Sequence, residues 1–335
     1  MSITIGYYPG CSGLGTSMEY ESSTRAVCQA LGIMLREIPD WNCCGSTPAH
    51  TVDHVLSSAL SARVFAQAET AGIRDVISPC PSCVKNLRNC LNNIEDPLFC
   101  ARVEALTERP LRQTHSVKSV LQVIVDDIGL DAVGALVRRP LKGLRVVPYY
   151  GCLLTRPGDV MQFDNPENPT SMDGLLTALG AEVLPFPLKT DCCGASYAIP
   201  ARDVVPRLSG RLLDMAAQLG AAAIVVACPL CQMNLDLRQD QINAKNKTRH
   251  TIPVPYFTQL MAHAFGLSDA AIAFDKLAVN MRSAFDCMQR RAAVMAMHER
   301  EEAAKKAKQA RAAEEKAAKK AKEAEAIAQP AGGEA

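Results

Sequence analysis

The chain has 335 residues, 48% of them hydrophobic, enough for two cores at roughly 100–200 residues per domain. Its 36 Lys and Arg against 35 Asp and Glu leave a formal charge of +1, so no global field directs it to nucleic acid or to an anionic membrane. Fourteen cysteines, with no signal-peptide pattern and no bilayer-length apolar run, predict a cytoplasmic protein whose thiols ligate metal rather than pair as disulfides; peripheral membrane association through a complex stays open.

In chain order, a β-rich run from Ile3 to Tyr8 leads through Pro9-Gly10 to Cys11. A helical stretch ending at Leu31-Gly32 and an extended segment then reach the triplet Cys43-Cys44-Gly45. The helix-length segment that follows closes at Gly72, where glycine suits a left-handed cap. The apolar run Asp75-Val76-Ile77-Ser78 reads as a buried strand leading into Cys80-Pro81-Ser82-Cys83. Residues 104–140, with Val117, Val120, Leu121 and Ile124 at helical spacing, are expected to form a helical linker.

The same order then returns. Leu144 to Tyr150 precedes Cys152, Leu179-Gly180 closes a helix, and the triplet is Cys192-Cys193-Gly194. Gly220 and the run Ala223-Ile224-Val225-Val226 lead to Cys228-Pro229-Leu230-Cys231, and Gly72 to Cys80 matches Gly220 to Cys228 at eight residues each. This repeat predicts an α/β protein of two tandem duplicated units with mainly parallel sheets. The expected organisation is a first unit over 1–103, the linker over 104–140, a second unit over 141–289 and an Ala/Lys/Glu-rich tail over 290–335. The tail is read as a charged, solvated helix or fraying segment, either an appendage or a docking arm, with Gln329 to Gly333 disordered.

Ten of the 14 cysteines fall into two equivalent fives: Cys11, Cys43, Cys44, Cys80 and Cys83, then Cys152, Cys192, Cys193, Cys228 and Cys231. Soft thiolates suit iron–sulfur clusters, zinc or cuprous copper. Structural zinc takes four ligands and leaves a fifth without a role. Adjacent cysteines in extended backbone point to opposite sides, so both reach one site only if the chain bends or the cofactor is large, as a multi-iron cluster is. Gly45 and Gly194 are expected to lie against cluster sulfur and lend it amide donors. A bare CPxC also fits a thioredoxin-like dithiol, but that reading does not use the paired CCG triplets.

With both patterns complete, residues 1–290 resemble the CCG-domain, cysteine-rich family, specifically the B-type subunit of heterodisulfide reductase. The resemblance implies that each five-cysteine set holds a non-cubane [4Fe–4S] cluster, two per chain, with a disulfide cleaved between them. It further implies an oxidoreductase working within a complex, beside a ferredoxin-like iron–sulfur subunit of the C type and a flavin subunit of the A type, on a small disulfide or thiol. The chain has no ferredoxin run of cysteines, so cubane relay clusters are assigned to those partners. Cys83 and Cys231, at the ends of the CPxC elements, are expected to be the most exposed ligands and the catalytic ones. The rival reading is an electron-transfer or docking subunit of a quinone-linked dehydrogenase of the succinate/fumarate, glycolate or lactate type, without a substrate of its own. Tyr8 and Tyr150 either line the sites or pack in the core. His50 and His54 are read as one helix face at i, i+4, without a third ligand. Cys28, Cys90, Cys100 and Cys287 have no counterpart in the other half and are read as ordinary thiols.

Overall fold

The computed structural model of the protein describes residues 3–46, 48–110 and 115–327, so the Gln329 to Gly333 stretch lies outside the described residues. Strands β1 (Ile3–Tyr7), β2 (Ile33–Glu37), β3 (Asp75–Ser78) and β4 (Ser116–Ser119) form a parallel sheet in the order β2-β1-β3-β4. A second parallel sheet has the order β6-β5-β7, from β5 (Arg145–Tyr149), β6 (Glu182–Val183) and β7 (Ala223–Val226). Parallel neighbours need crossovers, and helices supply them. These are α1 (Met18–Ala30), α2 (His54–Thr70) and α3 (Pro81–Asn93), then α4 (Ser171–Ala178) and α5 (Val204–Gln218). The helices that follow include α6 (Phe257–Ala264) and the long α7 (Arg282–Ile327), whose side chains from 297 to 311 are all exposed. The α/β class with parallel sheets and a long C-terminal helix is therefore what the chain adopts.

Three local elements differ from their sequence pattern. Val117 lies in β4, beside β3, and only from Val120 does the chain turn helical, with a turn Val120–Gln122 and a π-wound stretch Val123–Ile128. A short β-branched run fits either state by periodicity, and here the open sheet position decides. β6 has only two residues because Pro185 and Pro187 follow it and cannot donate to a ladder. The place of a fourth strand in the second sheet is taken by the Ile252–Tyr256 segment. There Pro253 and Pro255 accept from Ile224 and Val226 at 3.1 Å, but give no N–H back, and a single bridge to Tyr256 remains.

Alternation along the strands splits the first sheet between two cores. Tyr8, Val76 and Val117 pack with α2 and α3, while Tyr7, Ile33 and Ile77 join the core that runs through the second half. The halves also exchange helices. Tyr20 of α1 stacks on Tyr256 at 4.0 Å, its hydroxyl donates to the Ala227 carbonyl at 3.1 Å, and Ser23 bonds Thr258 at 2.7 Å. In return, the second half's Gly158–Met161 turn lies on α3, where Arg88 donates to the Val160 carbonyl at 3.2 Å and to that of Met161.

Candidate functional site

All ten paired cysteines follow carboxyl ends of strands, the place where open α/β sheets build their sites. Cys11 sits on the short helix Gly10–Gly13 just after β1, and Cys43 and Cys44 lie between β2 and α2. Cys80 is the N-cap of α3, with Pro81 at its first turn and Cys83 one step further in. The second half repeats this, with Cys228 capping the helix Pro229–Gln232 after β7.

The structure brings each five together. In the first set the Cys44 and Cys83 sulfurs are hydrogen-bonded at 3.4 Å, and Cys11, Cys43 and Cys80 lie close enough to shift the protonation of their neighbours. In the second set Cys193 donates to Cys231 at 3.7 Å, and Cys152 with Cys192 and Cys228 with Cys231 lie close enough to shift each other's protonation. Crowded sulfurs share protons unequally. The Cys11 and Cys44 bonds, with the Gly45 amide, pull Cys43 down to about 2, and the bond with Cys43 pushes Cys44 up to about 12. Cys192 falls to about 6, first through Cys152 and then through the Gly194 amide, while Cys80 and Cys193 are lowered chiefly by Cys83 and Cys231. Each set thus holds ready thiolates beside thiols that a bound metal would deprotonate. Among the described residues no three His, Cys, Asp or Glu side chains converge as a single-ion site.

Each set has a buried floor and an open rim. Cys44, Cys80 and Cys83, and likewise Cys193, Cys228 and Cys231, are buried, whereas Cys11, Cys43 and Cys192 are exposed and Cys152 is half-buried. The expectation that Cys83 and Cys231 are the most exposed ligands is therefore corrected. A CPxC that opens a helix at the end of a central strand sends its second cysteine under the CCG loop, with Cys83 only 4% and Cys231 only 5% accessible.

The glycines also change places. The amides of Gly45 and Gly194 do reach sulfur, Gly194 N–H at 3.3 Å from Cys192 Sγ. A Cβ on either, however, would strike the following helix, at Ser57 O (3.0 Å) or Val205 Cγ2 (2.9 Å), and not a thiol. Gly10 and Gly151 face sulfur instead: a Cβ would come within 3.1 Å of Cys83 Sγ and 2.9 Å of Cys231 Sγ, at φ of +73° and +67°. Their signal was in plain view, a glycine directly before the first cysteine in both halves.

Tyr8 lines the first set, but its partner is Tyr149, and Tyr150 is not. Tyr8 and Tyr149 donate to the carbonyls of Asn42 and Asp191, the residues just before the CC pairs, at 2.8 and 2.6 Å. Burial raises both phenols, with the set's own cysteines adding to it. Tyr150 turns away to Asp173, 2.7 Å. Sequence reasoning missed two further pairs. Ser61 and Ser209 hold the carbonyls of Cys44 and Cys193 at 2.9 and 2.8 Å. Asn86 and Asn234, each three residues past the last cysteine, donate to the Cys44 carbonyl and, at 3.5 Å, to Cys193 Sγ. Equal offset from the motif was the available clue.

His50 and His54 do not share a helix. Asp53 breaks the run by capping α2, and the two rings meet edge to face at 5.0 Å across the break. Cys28 and Cys90 are buried and Cys100 and Cys287 half-buried, all outside the two sets. No helix of the described residues is long and apolar enough to cross a membrane.

A family model described as "Cysteine-rich domain", CCG, matches this chain twice, over residues 5–88 and 146–236. The chain is 31% identical to the 8-methylmenaquinol:fumarate reductase membrane anchor of Wolinella succinogenes, over 80% of this chain and 94% of that protein. It is 27% identical to the B-type subunit of the ferredoxin:CoB-CoM heterodisulfide reductase of Methanosarcina mazei, over 82% of this chain and 93% of that one. A protein of Archaeoglobus profundus, described as like the B-type subunit of heterodisulfide reductase, is also 27% identical, over 81% of this chain and 93% of that protein. In fold, the chain resembles the crystal structure of a hypothetical protein from Helicobacter pylori, with a TM-score of 0.65, 10% identity and coverage of 83% of this chain and 52% of that one.

Proposed function

Because the chain belongs to the cysteine-rich CCG-domain family, we propose that it is an iron–sulfur subunit of a heterodisulfide-reductase-like oxidoreductase complex, with one non-cubane [4Fe–4S] cluster on each five-cysteine set. The observation that carries this reading is the pair of equivalent sulfur pockets, each with a buried floor and an open rim. The residues fit such a group: five soft donors, thiolates already favoured, amides aimed at sulfur and a glycine cradle at Gly10 and Gly151. A bound cluster would supply one-electron steps at potentials set by ligation, hydrogen bonding and exposure.

The chain's own residues do the rest. Cys44, Cys80 and Cys83, with Cys193, Cys228 and Cys231, would hold the inner side of each cluster, away from water. Cys11, Cys43, Cys152 and Cys192 stand where a small disulfide or thiol reaches the rim. Tyr8 and Tyr149 fix the CC loops, and Asn86 and Asn234 orient their second cysteines. Electrons would come from, or go to, a ferredoxin-like subunit and a flavin subunit of the complex.

A second reading is favoured by the 31% identity to a component of a menaquinol:fumarate reductase: the chain passes electrons between a quinone-linked dehydrogenase and its acceptor, and the rims face a partner rather than a substrate. Anaerobically purified protein separates the possibilities. Iron and acid-labile sulfide should reach about two four-iron clusters per chain. Zinc without iron sinks both readings. Reduction of low-molecular-weight disulfides from an artificial one-electron donor supports the first; normal cluster reduction without any disulfide or thiol turnover, together with restored quinone-linked activity in a partner dehydrogenase, supports the second.

A further inference from the structure

The duplication leaves two equivalent clefts behind the CCG turns, and their chemistry has diverged. In the first half a cavity of about 430 Å³ lies between the start of α2 and α3, and His50, His54, Asn86, Asn89 and Asn93 make it polar. Its counterpart, about 390 Å³, lies between the segment after Gly194 and the helix after Cys231. The correspondence is positional: His50 and Ile199 stand six residues past Cys44 and Cys193, and Asn93 and Gln241 ten past Cys83 and Cys231. In this second cleft two guanidiniums, of Arg202 and Arg238, face Ile199, Val205, Pro206 and Ile242.

We propose that this second cleft binds a small organic anion with an apolar body, a carboxylate or sulfonate held by Arg202 and Arg238 while its chain lies on Ile199 and Pro206. The volume falls within the roughly 300–1,000 Å³ range of small-molecule pockets, which combine apolar walls with a few placed polar groups. Among the described residues no salt bridge joins a carboxylate to either arginine; Asp203, next to Arg202, is engaged by Lys245 at 2.9 Å, and Asp236, near Arg238, accepts from the Ala278 and Val279 amides. Arg238 donates from Nη1 to Gln241 Oε1 at 3.2 Å, but its Nε–H is buried without an acceptor. Hydrogen bonds to a charged guanidinium are the stronger kind, so an anion contacting the open ends of these two side chains is favoured. The planar guanidinium fork favours carboxylate and sulfonate oxygens over a point-charge contact. Ile199, 84% exposed at the rim, is the apolar surface that a ligand's chain would cover. The cleft is also joined to the second cysteine set, because Val205 packs directly on Gly194.

Calorimetric titration of the purified full chain with hexanesulfonate, methanesulfonate and hexanol tests the assignment, and does not depend on what the cysteines hold. The expected result is saturable one-to-one binding of hexanesulfonate, at least tenfold tighter than either fragment. R202Q and R238Q should each weaken it at least tenfold, whereas H54Q in the first cleft should leave it unchanged. Thermal unfolding of each variant checks that it remains folded. Hexanol binding as tightly as hexanesulfonate would overturn the anion assignment. Equal loss on H54Q would move the site to the other cleft, and wild-type affinity in R202Q and R238Q, or no saturable binding, would remove it.

Discussion

At the scale of single residues, Gly151 set beside Gly72 separates backbone strain from contact with sulfur. Gly72 and Gly151 share nearly the same left-handed φ, +68° and +67°, but nothing lies within 4 Å of a Cβ at Gly72, whereas Cys231 Sγ lies 2.9 Å from one at Gly151. Gly72→Ala should therefore cost only the left-handed strain, about 1–2 kcal/mol, with full iron content. Gly151→Ala should carry the same strain and in addition empty the second pocket, roughly halving iron per chain while the first cluster's spectrum persists; equal iron in the two variants would deny the cradle. The ten cysteines were legible because thiols repeat conspicuously. Their supports were harder to read. Tyr149 was masked by its neighbour Tyr150, and only the strand's pleat decides which of two adjacent tyrosines faces the sulfurs. Burial of Cys83 and Cys231 was hidden for a related reason, since exposure depends on which loop closes over a helix start.

Among the elements, α2 shows how one polar side chain sets a boundary. Asp53, extended at φ −154°, accepts from the Leu56 N–H at 2.9 Å, ending the preceding short helix and starting α2. Asp53→Ala should lower stability by removing this cap, read as a lower denaturant midpoint with an unchanged slope. Because the His50–His54 contact is formed across that break, the variant should also change the titration of His50, whose pKa burial lowers, as followed by NMR. An aspartate three residues before a leucine was a readable cap signal, yet i, i+4 spacing of the histidines suggested one continuous helix. Parallel pairing was legible from the alternation of strands and helices, whereas the strand order was not. The shortness of β6 and the proline-bearing Ile252–Tyr256 segment were legible only as missing donors, because sequence shows where a ladder fails but not which strand stands beside it.

For the whole molecule, the reciprocal packing of the halves in the compact unit that ends at Met288 predicts that they unfold together. Tyr20 is 2% accessible, stacked on Tyr256 and bonded to Ala227 beside Cys228. Tyr20→Ala removes a buried aromatic from the junction and should destabilise by about 3–5 kcal/mol, the usual range for large-to-small core changes. The measurement is chemical unfolding followed separately in each half, where one shared transition moving to lower denaturant is expected; two transitions, with only one displaced, would show independently stable halves. That exchange has a historical reading as well. The helix after Cys11 lies on the second half, and the turn after Cys152 lies on the first, so each half covers part of the other. A primordial gene encoding one half would have left this patch bare unless two of its products clasped each other. Joined in one chain, each half keeps the other's patch covered, so the two cysteine sets can differ in their surroundings without either half having to stand alone.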